Sequence, residues 1–98
     1  MYLRPLAWPD TLAAGTLGTA EIEVLLSDGT PFPADRVEWV VDSPRIAELY
    51  PYDRKEAKRV RGASPGVAKV TVSAMVRKNY GSREFYRGTI TRRVTVVP

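Results

Sequence analysis

The chain contains neither cysteine nor histidine among its 98 residues. Without cysteine it can form no disulfide and offer no thiolate to a metal, although this leaves the compartment open because many exported bacterial proteins also lack cysteine. Without histidine it lacks the most common general base and the most common metal ligand. Any catalysis would depend on carboxylates, lysine or tyrosine. We therefore expect a protein that is not an enzyme and uses no cofactor or metal.

Long apolar runs are absent as well. No stretch approaches the roughly 20 residues of a membrane-spanning helix, and the first nine residues lack the apolar core of a signal peptide. We therefore expect no membrane contact, and a chain that stays in the cytoplasm until it joins an assembly. If Met1 was instead added to a piece of a longer exported protein, the expected location is extracellular.

The net charge of +4 is unevenly distributed along the chain. Residues 1–53 contain three arginines and nine acidic residues, whereas residues 54–98 contain twelve lysines and arginines and two acidic residues. Such asymmetry can produce faces of opposite sign that attract an acidic partner or a second copy of the chain. The alternative is a solvated basic surface that keeps edge strands from pairing.

Apolar residues recur at every second position, which is the period of a half-buried β-strand and not of a helix. Thr19 to Leu26 alternates in this way, and Ala68 to Val76 continues the alternation over nine positions. We expect the second of these to be the longest and most central strand, paired with Glu84 to Val97 through a hairpin tip at 79–82. Arg92 interrupts the apolar positions of that partner, which predicts a bulge or a position near the rim.

Shorter strands are predicted elsewhere. Prolines at positions 5 and 9 restrict the N-terminal segment to an edge. A short helix over Asp53 to Lys58 competes with a hairpin in the basic stretch 54–61. The predicted strands are Tyr2 to Trp8, Leu12 to Leu17, Val37 to Val41, Ile46 to Tyr50 and a short strand around Val60.

Many short strands separated by turns favour an all-β fold, an immunoglobulin-like β-sandwich of about seven strands in two sheets, formed as one domain by residues 1–98. Trp39 shares its face with Val37 and Val41, so we expect it in the core, while Trp8 is either a lid on the core edge or an exposed contact. The predicted core is Ala20, Ile22, Val24, Leu26, Val37, Trp39, Val41, Leu49, Val70, Val72, Ala74, Ile90, Val94 and Val96.

The order of several short motifs resembles the bacterial immunoglobulin-like domain of group 2. These are Asp28-Gly29, Val37-x-Trp39, Ile46-Ala47-x-Leu49, Val60 and Pro65-Gly66-Val67-Ala68-Lys69-Val70-Thr71. The resemblance covers roughly residues 12–97. Two segments depart from the family pattern, because 51–58 replaces a short turn and the hairpin 77–88 is extended and basic.

The resemblance implies a binding or structural module, and function does not follow from fold alone. Similar domains occur in bacteriophage tail and head proteins, in bacterial surface adhesins and beside polysaccharide-active enzymes. A single copy with its own Met1 favours a bacteriophage virion component that acts by protein–protein contact. The alternative is a cell-surface adhesion or carbohydrate-contact module.

The two departing hairpins are the predicted contact surfaces, since loops carry binding groups on a rigid scaffold. Tyrosine mixed with arginine is typical of protein interfaces and also of nucleic-acid binding, of which we favour the protein interface because no nucleic-acid motif is present. The hypothesis places both hairpins toward one side, facing an acidic surface, with Glu21 and Glu23 facing away. The candidate binding residues are Tyr52, Arg54, Lys55, Arg59, Arg77, Lys78, Tyr80, Arg83, Tyr86 and Arg87.

Carboxylates give weaker candidates. Glu21 and Glu23 share the outer face of one strand, but nothing predicts a cleft around them. Asp28 with Asp42 or Asp53 could bind calcium, yet the alternating ligands of a calcium loop are missing. The expected site is therefore a contact surface without catalytic or metal-binding residues.

Overall fold

The computed structural model describes residues 1–77, 81 and 83–98. These residues form two four-stranded sheets, which we call sheet A, in the order β1-β3-β6-β5, and sheet B, in the order β2-β8-β7-β4. The strands are β1 (Tyr2–Ala7), β2 (Thr11–Ala13), β3 (Leu17–Leu25), β4 (Arg36–Val41), β5 (Ala47–Pro51), β6 (Ala57–Gly62), β7 (Gly66–Arg77) and β8 (Phe85–Val97). The predicted all-β, two-sheet architecture is confirmed, with eight strands in the described residues instead of about seven.

The N-terminal segment belongs to both sheets, which explains the additional strand. β1 pairs antiparallel with β3 in sheet A, and β2 pairs parallel with β8 in sheet B. Trp8, Pro9 and Asp10 connect the two short strands, and the register of β1 shifts between Pro5 and Ala7. Proline has no N–H to donate to a ladder, so it is tolerated here, where β1 lies at the edge of its sheet.

The hairpin of β7 and β8 is the longest pairing in the described chain. Its antiparallel register runs without a shift from Gly66 opposite Val96 to Arg77 opposite Phe85. Of the two alternatives predicted for Arg92, a bulge or a position near the rim, the bulge is therefore wrong. Arg92 lies opposite Val70 in regular register, and its guanidinium carbon is 6.0 Å from the ring centre of Trp8. The predicted hairpin tip at 79–82 lies outside the described residues except for Gly81.

The basic stretch after β5 forms a hairpin, and the competing helix over Asp53 to Lys58 is wrong. β5 and β6 pair antiparallel from Ala47 opposite Gly62 to Pro51 opposite Lys58. Ile46, predicted in the strand, instead lies in a turn, where its N–H donates to the carbonyl of Ser43 at 2.9 Å.

The core lies between the sheets and consists of the inward-facing residues of alternate positions. Eight predicted core residues are buried: Ala20, Ile22, Val24, Val70, Val72, Ala74, Val94 and Val96. Five are half-buried against them: Val37, Trp39, Val41, Leu49 and Ile90. Buried residues missing from the predicted list are Leu3, Leu12, Leu25, Ala34, Ala47, Ala57, Val60, Ala68 and Val76.

Leu26 is the one predicted core residue that is replaced by its neighbour. β3 ends at Leu25, which is only 2% exposed, and the chain then turns. The N–H of Leu26 donates to the carbonyl of Thr30 in that turn. The alternation of β3 therefore stops one residue before Leu26, and the predicted side chain does not reach the core.

The two tryptophans stack at the margin of this core. Their ring centres are 6.3 Å apart and their planes differ by 10°. The indole N–H of Trp39 donates to the carbonyl of Lys55, and that of Trp8 donates to the carbonyl of Arg93, each at 3.0 Å. Trp8 is thus the predicted lid, and Trp39 is a half-buried wall of the core against which that lid stacks.

We expect Trp8→Ala and Trp39→Ala each to lower the free energy of unfolding by about 2 kcal/mol, because both rings are half-buried. The double variant should cost about 1 kcal/mol less than the sum, since the stacking is lost only once. Chemical denaturation of the four proteins measures the difference. Strict additivity of the two losses would show that the rings do not stabilise one another.

Gly66 opens β7 with φ of 147°, and a Cβ atom there would lie 2.7 Å from Cδ1 of Ile46. We expect Gly66→Ala to destabilise the fold by about 2 kcal/mol through backbone strain and this clash. Gly15→Ala is the matched control, because Gly15 also has positive φ but no atom lies within 4 Å of the added Cβ. Equal midpoint shifts in urea for both variants would contradict a packing contribution at Gly66.

Candidate functional site

The β5–β6 hairpin carries four of the predicted binding residues, and two of them form a pair. The guanidinium carbon of Arg59 lies 4.7 Å from the ring centre of Tyr52, within the range of a cation–π interaction. Both side chains are exposed, Tyr52 at 40%. This pair is the part of the predicted site that can meet a partner directly.

The other two candidate residues of this hairpin contact the rest of the protein, Arg54 through its side chain and Lys55 through its backbone carbonyl. The guanidinium of Arg54 donates to the carboxylate of Glu21, and Glu23 forms the corresponding ion pair with Arg4. The carbonyl of Lys55 accepts the indole N–H of Trp39. The hypothesis that Glu21 and Glu23 face away from the basic hairpins is therefore wrong for Glu21, because the Arg54 side chain crosses the outer face of sheet A to reach it.

The β7–β8 hairpin holds the remaining candidates. The Arg77 guanidinium carbon lies 5.9 Å from the ring centre of Phe85, and its backbone N–H donates to the Asp35 carboxylate. Arg83, Tyr86 and Arg87 are exposed. Lys78 and Tyr80 lie outside the described residues, so their place in the site stays a prediction.

The two hairpins point in the same direction but end at different heights. The β5–β6 turn ends beside the middle of β3, where the Ile22 N–H donates to the carbonyl of Glu56. A Cβ on Gly88 would contact Leu3, which lies opposite Val24 near the end of β3. Phe85 lies at the start of β8, three residues before Gly88, and is therefore roughly 10 Å beyond the level of Leu3. The predicted site is thus two separate basic clusters.

A shallow groove of about 420 Å³ runs along the outer end of β3. Phe32, 43% exposed, forms one wall, and Glu21, Glu23 and Arg54 form the other. The carboxylates of Glu21 and Glu23 are each held by a guanidinium, an arrangement that supports ion pairing and not the acid and base exchange of a hydrolytic pair. The groove therefore gives no support to catalysis by Glu21 and Glu23.

Two of the three aspartates considered for calcium, Asp28 and Asp42, are used in local hydrogen bonds. Asp28 accepts the backbone N–H of Thr30 at 2.9 Å, and Asp42 accepts that of Lys69 at 2.8 Å. These hydrogen bonds lower the pKa of both carboxyl groups below the ordinary aspartate value. Within residues 1–77, 81 and 83–98, no three histidine, cysteine, aspartate or glutamate side chains are grouped as metal ligands. In the same part of the chain, no helix is long and apolar enough to span a membrane.

The outer face of sheet B is a surface that the sequence interpretation did not select. Thr71 and Thr91 lie opposite each other with their hydroxyl oxygens 3.0 Å apart, and the next row holds Ser73 and Thr89 at 3.3 Å. The sequence signal was the polar half of the same alternation that identified the core. It could have been found by listing the outward residues of β7 and β8 together.

The comparisons with known proteins bear on the fold. No protein-family model and no curated protein sequence matches this chain. A solved structure does. The chain is similar to the crystal structure of domains 4 and 5 of the S-layer protein SbsC, with a TM-score of 0.72, 15% sequence identity and 98% of this chain covered. The match spans 51% of that two-domain chain, so this chain has the fold of about half of it. The similarity shows a shared fold with a domain of a surface-layer protein.

The Asp42 carboxylate should contribute stability that depends on pH. Its pKa is depressed in the folded protein, so its stabilising effect is present above the unfolded pKa of about 3.9 and is lost as the pH falls through the lower folded value. We expect Asp42→Asn to flatten the dependence of Tm on pH below about pH 4.

Asp53→Asn is the control, because Asp53 is an exposed aspartate for which the described residues provide no hydrogen bond or ion pair. Thermal unfolding followed by circular dichroism across this pH range compares the three proteins. If both variants keep the slope of the unsubstituted protein, the hydrogen bond to Lys69 does not link protonation to folding.

Proposed function

We propose that this chain is a non-catalytic structural and binding module of a cell-surface protein, with an immunoglobulin-like sandwich as its scaffold. The observation that carries the proposal is the fold shared with a surface-layer protein domain over 98% of the chain. The resemblance to the bacterial immunoglobulin-like domain of group 2 is part of the same proposal. Domains of this kind present their outer faces and loops to partners while their core serves only stability.

The distribution of charge supports a rigid scaffold that makes its contacts at the surface. Acidic residues of the first half pair with arginines across strands: Glu23 with Arg4, Glu48 with Arg61, and Glu21 with Arg54. These pairs are partly exposed, so each contributes little to stability, about 0 to 1 kcal/mol. Each pair neutralises one acidic and one basic group, so the excess of cations over acidic residues in the chain falls on the groups that remain unpaired.

Protein contact through the two basic clusters stays the proposed mode of action. Arg59 and Tyr52 of the β5–β6 cluster contact each other and are exposed, and Arg83 and Arg87 of the β7–β8 cluster are exposed as well. Tyrosine and arginine are the residue types that often anchor interfaces. An acidic protein surface or a second copy of the chain fits this charge. The arrangement also fits a virion component, and the surface-layer neighbour favours the cell-surface setting over the virion.

Immunogold electron microscopy tests the proposal in the cells from which the protein comes. An antibody raised against the purified chain should label the outer surface of intact cells. Cells from which the gene has been deleted serve as the control. Label on particles purified from the culture, and not on cells, would replace the surface setting by the virion setting. Label confined to the cytosol of sectioned cells would overturn the proposed function.

A further inference from the structure

Most acidic side chains of the described chain already have a partner, and this leaves a defined set of cations on one face. In addition to the ion pairs on sheet A, Glu38 pairs with Arg36 at 3.0 Å and Asp10 with Arg92 at 3.7 Å. Lys69 and Arg93 differ from Arg36 and Arg92 in their ion pairing. Neither side chain forms a salt bridge with any described residue, although Lys69 lies near enough to Asp42 to help lower the pKa of that carboxyl group.

Lys69 and Arg93 occupy directly opposite positions in the β7–β8 register. Opposite residues of an antiparallel pair point to the same face, and like charges there are destabilising. Both residues are exposed, on the side of sheet B away from the core. The hairpin therefore keeps a repulsive pair of cations at a place where no described acidic side chain forms a salt bridge with either of them.

From this pair, rows of hydroxyl groups continue along the same face. Thr71 lies opposite Thr91, and Ser73 lies opposite Thr89, in the two rows that follow. The next row contains the half-buried Met75 opposite Arg87, which is exposed and six residues from Arg93 along β8. At the rise of a β-strand, the two cationic rows are roughly 20 Å apart. We call the surface formed by these eight outward side chains the hydroxyl face.

The chemistry of the hydroxyl face selects among partners. A single-stranded nucleic acid needs aromatic rings on which its bases stack. The two central rows contain threonine and serine on β7 and β8, and continue onto β4 with Val40 and with Glu38, which pairs with Arg36. A protein interface needs an apolar or aromatic centre, in which serine is depleted. Here the apolar side chains, Met75 and the exposed Val40 of β4, flank central rows of threonine and serine. Hydroxyl groups between cations suit a flat, extended ligand that carries its own hydroxyls together with regularly spaced anionic groups.

We propose that the hydroxyl face binds a linear acidic polysaccharide laid along β7 and β8. Lys69 and Arg93 would bind a carboxylate or phosphate of the chain at one end, and Arg87 would bind another at the far end. Thr71, Thr91, Ser73 and Thr89 would form hydrogen bonds with the sugar hydroxyls between them. The proposal rests on the proposed function, because it names the partner through which a surface module would contact its envelope.

The test uses the full chain and polygalacturonate, a linear carboxylated polysaccharide, in isothermal titration calorimetry at low and at moderate salt. Neutral dextran and a thymidine oligonucleotide are the comparison ligands. We expect binding to polygalacturonate that weakens with salt, and no measurable binding to dextran. Equal affinity for the oligonucleotide, lost in the same variants, would replace the polysaccharide by nucleic acid and overturn the proposal.

The first variant combines Lys69→Gln with Arg93→Gln, which removes the cationic pair. We expect the affinity for polygalacturonate to fall by about tenfold, since charge-assisted hydrogen bonds are lost. Its Tm should not decrease, because a repulsive pair has been removed. Lys55→Gln with Arg59→Gln is the matched control, which removes one lysine and one arginine charge from exposed positions of the β5–β6 hairpin. A similar loss of affinity in the control would show attraction by net charge alone and overturn the proposal.

The second variant combines Thr71→Val with Thr91→Val, which removes two hydroxyls but keeps the shape of the strands. We expect affinity to fall about threefold to tenfold, with the salt dependence unchanged because no charge is altered. Unchanged affinity in this variant would overturn the role of the hydroxyls. The surface location of the protein is measured separately by electron microscopy, so absence of polysaccharide binding with surface labelling would reject this inference and leave the proposed function standing.

Discussion

The antiparallel pairing of β7 with β8 is the constraint on which the rest of the molecule depends. Because its register runs unbroken from Gly66 to Arg77, each outward residue of one strand stands beside an outward residue of the other. The inward residues, including Val70, Val72 and Val94, form the floor on which sheet A packs. One register thus determines both the core and the surface, since a slip of one residue would exchange the two faces.

Charge pairing is the second principle of the structure, and it acts across strands that are distant in sequence. The acidic first half and the basic second half do not form opposite faces, because each sheet contains strands from both halves. Arg61 of β6 reaches Glu48 of β5, and Arg54 reaches Glu21 of β3. The uneven charge of the sequence produces three ion pairs that involve strands of sheet A, and it leaves Lys69 and Arg93 of sheet B without a salt bridge to any described residue.

The strand pattern of this protein was predictable because its period is local. The inward positions of β3 and β7 follow from their own alternation, and the residues that the prediction placed there are buried apart from Leu26. Sheet membership was not predictable in the same way. That β1 and β2 enter opposite sheets, or that Trp8 stacks on Trp39, depends on contacts between segments far apart in the chain.

The candidate site was predicted less well than the fold, for a related reason. Composition identified Tyr52 and Arg59, which do contact each other. It could not show that Arg54 is tied to Glu21, because that pairing follows from the position of β3 beside β6. The residues of the hydroxyl face are scattered through two strands as single threonines and serines, and only the register brings them into rows.

The placement of the two chain ends has a mechanical consequence. Met1 lies close to Gly88, whereas Val97 ends the same strand nine residues later, roughly 30 Å away. Tension between the ends would therefore act along β1 and β8 instead of across them. The ladders that join β1 to β3, and β8 to β2 and β7, would be loaded in shear, with many hydrogen bonds resisting at once. A fold connected in this manner resists extension along the direction of β8.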